Sequence, residues 1–517
     1  MTFASILADL PSFFGPFIPF RIAIVAVSFA ACGIEAQERV LLYTAEITGV
    51  EDEDLREILE GLSTTVQKQA APPASVAQLH RRAETDIERF LAAFQALGYY
   101  AARVEFEISE DADPVHLIFT ADPGPQYMLQ EISIVAAEGA PVIPLPAPAD
   151  LGLQPEMPAL SQSIVEAQAR LAERLQNAGY PYAEVADREA IVDHADKTMD
   201  VTFTVAPGPQ AEFGELRIEG IEHVRERYLE RLVPWEPGQR YSRSELDVAR
   251  ERMFGSGLFS TAEIYPAEEV GEDGRVPIDV IVTERPRRTI GAGLSFSTDE
   301  GPGAEVLWEH RNLDGLGRQL RLEARASTLL SQLRAEYRLP YFRRLGQSLV
   351  YSFEIAYEDT DAYDSSRIEN VVRIDSELNE LQDMSYGVGL RFSTVEQQEF
   401  EDDYALLFFP VSWSRDTSDD PLDPTRGSRI RLSVTPFLNV SEVNKPFLKA
   451  EALWSQYITL AEDPQWILAL RGRAGFISAQ ERDDVPPDVR FYAGGGGSIR
   501  GFPYQSAGPL VDEDEPI

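Results

Sequence analysis

The period of the hydrophobic pattern changes near residue 287. Before it, helical spacing is prominent: Ile87, Phe90, Leu91 and Phe94 recur at i, i+3, i+4 and i+7, on one face of a helix. Gly98 follows where a helix C-cap belongs. Short strands accompany the helices, as in Val201, Phe203 and Val205 against Thr202 and Thr204, with one face buried and one wet. From Arg287 the period is two. Leu320, Leu322, Ala324 and Ala326 alternate with Gln319, Arg321, Glu323 and Arg325, and Leu333, Ala335, Tyr337 and Leu339 with Gln332, Arg334, Glu336 and Arg338. These strands have one apolar face and one face carrying both signs of charge.

The first half repeats. A Gly-Tyr or Gly-Leu-Phe stretch, followed by an alternating strand that runs into a proline, occurs around Gly98, Gly179 and Gly257. Three modules of roughly eighty residues result, at 37–125, 126–209 and 210–286. Each reads strand, helix, helix, strand, strand. Ser163 with Glu166 and Ser242 with Glu245 have capping-box spacing. The first helix of the second module falls in residues 139–160, which hold Pro141, Pro144, Pro146, Pro148, Pro155 and Pro158, so it is expected to be distorted or shortened. A helix pair on one face of a small mixed sheet leaves sheet edges open to an extended peptide.

The second half, 287–517, divides into eleven candidate strands at about 287–297, 304–312, 319–328, 331–340, 347–358, 366–378, 385–396, 404–414, 428–438, 447–460 and 465–478. A sandwich would bury their apolar faces against a second sheet, whereas a membrane barrel turns them to lipid and keeps charge in a wet lumen. Strand length and a charge-dense inner face favour the barrel. Bacterial single-chain barrels have even strand numbers, so eleven implies an incomplete barrel with further strands expected after residue 517.

The remaining chemistry narrows the class. Acidic residues number 86 against 46 basic ones, a formal charge of −40, which argues against nucleic acid as a partner. Residues 1–36 read as a signal peptide, with Arg21 ahead of the apolar run 22–31 and cleavage near Ala36; the single cysteine, Cys32, lies inside it. The five histidines are scattered without metal-ligand spacing, and no nucleophile or cofactor constellation is present, so neither an enzyme, a metal nor a cofactor is expected.

Two motifs remain. A turn of Asp423, Pro424, Thr425, Arg426 and Gly427 separates the eighth and ninth strands. After the eleventh come Gly494, Gly495, Gly496 and Gly497, then Ile499, Arg500, Gly501 and Phe502; this stretch lacks the residues of a P-loop, a dinucleotide fingerprint or a nucleophile elbow.

The tandem modules behind a signal sequence resemble polypeptide-transport-associated (POTRA) domains. With the Asp-Pro-Thr-Arg-Gly turn and the Ile-Arg-Gly-Phe loop, the chain resembles the BamA/TamA superfamily of outer-membrane assembly factors, and its three modules resemble the TamA type more than BamA. The resemblance implies a factor of the bacterial outer membrane that inserts autotransporter-like β-barrel proteins without nucleotide hydrolysis. Its modules would lie in the periplasm, and its partners would be nascent barrel proteins, the lipid bilayer and an inner-membrane-anchored TamB-like protein. It also implies that Arg500 folds into the lumen to meet acidic groups on later strands. The first strand, with Thr289, Ile290, Gly291, Ala292, Gly293 and Leu294, would form a weak lateral seam, since interior glycines weaken a strand. The alternatives are a two-partner secretion exporter, a passive porin and a soluble peptide-binding protein.

Overall fold

The computed structural model describes residues 41–508 apart from 72, 110, 298, 299, 399, 442–444, 463, 500 and 503. The signal peptide and Cys32 lie outside the described residues.

Three modules come first. Module one holds β1 (Tyr43–Thr48), α1 (Glu53–Leu62), α2 (Thr64–Gln67), α3 (Val76–Ala96), β2 (Arg103–Ser109) and β3 (Val115–Asp122). Module two holds β4 (Met128–Ala136), α4 (Ser161–Asn177), β5 (Glu184–Asp193) and β6 (Thr198–Ala206). Module three holds β7 (Glu212–Glu219), α5 (Glu226–Glu230), α6 (Arg243–Gly255), β8 (Phe259–Pro266) and β9 (Arg275–Glu284). Each sheet has its last strand in the middle, in the orders β1-β3-β2, β4-β6-β5 and β7-β9-β8. In modules one and three the first strand runs parallel to the last and the second antiparallel to it.

Amphipathic stripes hold the modules together. In α3, Phe90 and Phe94 are fully buried and Gly98 ends the helix at φ +87°. Ile87 and Leu91 of the predicted face are only half-buried; Leu79, Ala83 and the carboxylate of Asp86 complete the inner stripe. Asp86 accepts hydrogen bonds from Ser63 Oγ and the Thr65 N–H, both at 2.8 Å, and so tethers α2 to α3. Val201, Phe203 and Val205 are buried as the alternation predicts, and so are Ile164, Ala167, Leu171 and Leu175 of α4. Burying one such side chain contributes roughly 1.5–3 kcal/mol.

Module two has one α-helix, because its proline-rich segment forms only a 3₁₀ turn over Pro148–Leu151. The capping boxes are not made as the spacing suggested. Ser163 lies inside α4, which starts at Ser161, and Ser242 stands at the N-cap of α6 but its hydroxyl bonds Asn177 Oδ1 at 3.1 Å.

The second half is one antiparallel sheet: β10 (Arg288–Ser297), β11 (Gly301–His310), β12 (Gln319–Ala326), β13 (Leu330–Leu339), β14 (Gln347–Asp359), β15 (Asp364–Asn379), β16 (Gln382–Gln397), β17 (Phe400–Phe408), β18 (Val411–Asp416), β19 (Gly427–Asn439), β20 (Pro446–Glu462) and β21 (Gln465–Ser478). Among the described residues it has twelve strands, yet β17 and β18 both lie between β16 and β19 and together occupy the place of the eighth predicted strand. The break falls at Phe409 and Pro410, where the proline has no N–H for the ladder.

Side-chain exposure decides which way the faces point. Across β13 to β16, Leu333, Ile355, Ile368 and Phe392 stand in register and are 50%, 42%, 43% and 53% exposed. On the opposite face Arg334, Glu354, Glu369 and Arg391 stand in register. A soluble sandwich would cover the first row. Here the apolar row is bare and the charged row is partly buried and paired, as in a wall with lipid outside and a polar interior.

Module three is joined to this sheet by residues 311–318. The Arg225 N–H donates to the Gly315 carbonyl at 2.9 Å, Leu316 packs against the module's core, and the Tyr228 and Tyr341 rings lie 5.7 Å apart. Gly317 has φ +73°, and a Cβ there would meet the Tyr228 hydroxyl at 2.7 Å, so glycine is required for this close approach.

Candidate functional site

Two parts of the second half hold the seam and loop residues singled out in the sequence: the first strand of the sheet and the loop after its last. Strand β10 pairs with β11 over ten residues, and among the described residues it has no strand on its other side. Its apolar face carries Ile290, Ala292, Leu294 and Phe296, of which Ile290, Leu294 and Phe296 are 77%, 92% and 79% exposed. Its polar face carries Thr289, Gly291, Gly293 and Ser295, so for much of its length it offers backbone rather than side chains. All six residues expected at the seam, Thr289 to Leu294, lie on this edge strand.

After β21, residues 482–492 turn back onto the charged face. Their seat interrupts that charge with an apolar row: Val371, Gly389, Phe408, Phe437 and Phe447 are neighbours on β15, β16, β17, β19 and β20. The rings of Phe408 and Phe437 lie 5.4 Å apart and those of Phe437 and Phe447 4.6 Å apart, stacked. Val485 and Val489 of the loop, each 3% exposed, pack into this cluster. Phe491 lies against Gly475, where a Cβ would come within 2.7 Å of the ring, and Tyr492 lies 5.7 Å from Tyr363. Lys449 Nζ donates to the Val489 carbonyl at 2.7 Å and stands 4.5 Å from the centre of the Phe491 ring.

The glycine-rich motif lies beyond this seat. The Gly494 N–H donates to Ser498 Oγ at 2.8 Å and the Gly495 N–H to the Phe502 carbonyl at 2.9 Å, closing a compact turn. Gly496, Gly497, Ile499, Gly501 and Phe502 are exposed. Arg500 lies outside the described residues. What the sequence reading missed is the segment that seats, residues 482–492. Its polar composition reads as a plain loop; the available signal was Val485 and Val489 spaced four apart around two prolines.

The turn motif joins β18 to β19, where it was expected. Its organiser precedes the motif: Asp419 Oδ1 accepts from the Thr425 and Arg426 N–H groups at 2.9 and 3.1 Å. Asp420 Oδ1 accepts from the Leu422 and Asp423 N–H groups at 2.6 and 2.9 Å. The Thr425 hydroxyl and the Arg426 and Thr425 N–H groups hold the Asp419 carboxyl well below the usual carboxylate range. Arg426 pairs with Glu462 at 2.7 Å, and Pro424 lies between the two caps. Gly427 has φ +98°, and a Cβ there would sit 2.1 Å from the Thr417 carbonyl oxygen. Among the described residues no cluster of three or more His, Cys, Asp or Glu is arranged to hold a metal ion.

Small α+β modules in series, followed by an antiparallel wall with bare apolar residues outside and a loop folded onto its polar face, define a class: modular β-barrel membrane proteins. Comparison with known proteins gives the family. The Omp85 superfamily domain matches residues 312–517, the first POTRA domain of TamA matches residues 44–123, and the surface antigen variable number repeat, also a POTRA domain, matches residues 211–285. Residues 312–517 thus form an Omp85 superfamily domain, and POTRA domains precede it in the chain. The chain is similar to the outer membrane protein assembly factor BamA of Neisseria meningitidis serogroup B, 22% identical over 468 residues, covering 83% of this chain and 57% of the relative. It is also similar to BamA of Nitratidesulfovibrio vulgaris, 25% identical over 354 residues, covering 65% and 43%. The chain thus spans about half the length of the curated relatives it matches. The crystal structure of Haemophilus ducreyi BamA lacking POTRA domains 1–3 has the same fold, with a TM-score of 0.63 at 20% identity over 74% of this chain and 77% of that one.

Proposed function

We propose that this chain is an outer-membrane protein assembly factor. It sits in the bacterial outer membrane with its modules in the periplasm, and it helps β-barrel proteins of autotransporter type fold into the bilayer without nucleotide hydrolysis. The observation that carries this reading is strand β10, which has glycines at 291 and 293 and is nearly free of side chains on its polar face. Such a strand packs weakly and can exchange its pairing for an extended segment that binds through backbone hydrogen bonds, a mode that tolerates many sequences. The names of the curated relatives support the general function, and the match of the first module to a TamA domain supports a TamB-like partner docking on the modules. No step of this reading requires catalytic chemistry, a cofactor or a metal.

A photo-crosslinking residue placed at Ile290 or Leu294 tests it in cells making the complete protein. We expect capture of nascent outer-membrane proteins at both positions and none at Ile458, an exposed apolar residue of β20. Equal capture at all three positions, or none on β10, contradicts substrate pairing there. A dedicated exporter would capture one secreted protein, and a passive porin would conduct ions and capture nothing.

A further inference from the structure

The loop brings two buried carboxylates to the wall. The side chain of Asp488 is fully buried: its Oδ2 accepts from Ser365 Oγ at 3.2 Å and lies 3.4 Å from an Arg391 guanidinium nitrogen. Asp484, four residues earlier and 4% exposed, lies 3.3 Å from Lys445 Nζ, beside the start of β20. Between them Val485 enters the phenylalanine row, so apolar and ionic contacts alternate along one short segment. Arg391 is itself held by Glu369 at 2.8 Å and is therefore fixed before the loop arrives. Asp488 Oδ1 has no hydrogen-bond partner among the described residues, so its contact with Arg391 is single rather than forked.

We propose that Asp488 is the positioning residue that seats the loop, with Asp484 as a second, weaker anchor. The polarity is then a loop carboxylate on wall cations. A carboxylate buried this deeply is hydrogen-bonded by one guanidinium and one hydroxyl, with the charges of Arg367 and Lys449 further off; losing the Arg391 contact removes its nearest cation where water cannot replace it. The seated loop covers the phenylalanine row, so release exposes an apolar patch on an otherwise charged inner face. This rests on the assembly reading only for its biological meaning; the seating is a property of the barrel alone.

The test is limited proteolysis of the loop in outer membranes holding the full protein, with heat-resistant gel mobility confirming a folded barrel. Asp488→Asn and Arg391→Gln are each expected to raise the cleavage rate at least about tenfold, consistent with the cost of breaking a buried pair. Arg391→Lys, which keeps a cation at that place, is expected to recover most of the protection that Arg391→Gln loses, and Glu369→Gln, which loosens Arg391 without removing it, to raise cleavage less than Asp488→Asn does. Cleavage unchanged by Asp488→Asn in a folded barrel, or Arg391→Lys no better than Arg391→Gln, overturns the proposal. Substrate assembly measured beside cleavage separates the two readings: a released loop with normal assembly supports the anchor and counts against a role for the loop in assembly.

Discussion

Glu284 shows how one side chain fixes a junction. It ends β9, and its Oε1 accepts from the backbone N–H groups of Glu222, His223 and Val224 at 2.9, 2.8 and 2.7 Å, while Oε2 lies 3.3 Å from His223 Nδ1. Burial alone would raise the carboxyl's pKa, but the three N–H donors and His223 outweigh it and the net shift is downward. A depressed folded pKa means that the stabilisation is complete above the unfolded value of about 4.3 and is lost as pH falls through the folded one. Glu284→Ala is therefore expected to destabilise module three by roughly 1–3 kcal/mol at pH 7. Trp235, buried and stacked on Phe213 at 4.4 Å, reports module unfolding in urea by its fluorescence. The difference between the two proteins should shrink with acid; a difference independent of pH would contradict the assignment.

Among the elements, the turn between β18 and β19 shows what a motif encodes. Within its recognisable residues, Asp423 to Gly427, the N–H groups of Asp423, Thr425 and Arg426 donate to the carboxylates of Asp419 and Asp420, while Gly427 is the position where no other residue fits. Gly427→Ala places a methyl group against the Thr417 carbonyl and should cost more than about 1 kcal/mol. Asp419→Ala removes the cap without a clash. Both should slow formation of the heat-resistant barrel in refolding assays read by gel mobility, the glycine change more; a barrel that forms at the normal rate with Gly427→Ala would show that the turn does not limit pairing. The broken eighth strand follows equally local chemistry, since Pro410 cannot donate to the ladder.

At the scale of the whole molecule, the two periodicities carried most of the architecture. A period of two with charge on one face suffices for a barrel wall, and the strand positions follow because a one-residue slip would turn every Leu333 or Ile355 inward. The second module's missing helix was legible in its prolines. The loop seat was not: whether Val485, Asp488 and Phe491 float or dock depends on Phe408, Phe437 and Arg391, which are distant in sequence and meet only through sheet register. The motif directed attention to the exposed glycine tip instead. The central claim, assembly of other barrels at the first strand of the sheet, is most directly tested with the complete protein in liposomes, by the folding rate of an unfolded outer-membrane protein without nucleotide. The account predicts a rate at least about tenfold above protein-free liposomes, a barrier lowered by about 1.4 kcal/mol, and lost when bulky residues replace Gly291 and Gly293. A rate equal to that of protein-free liposomes would contradict it.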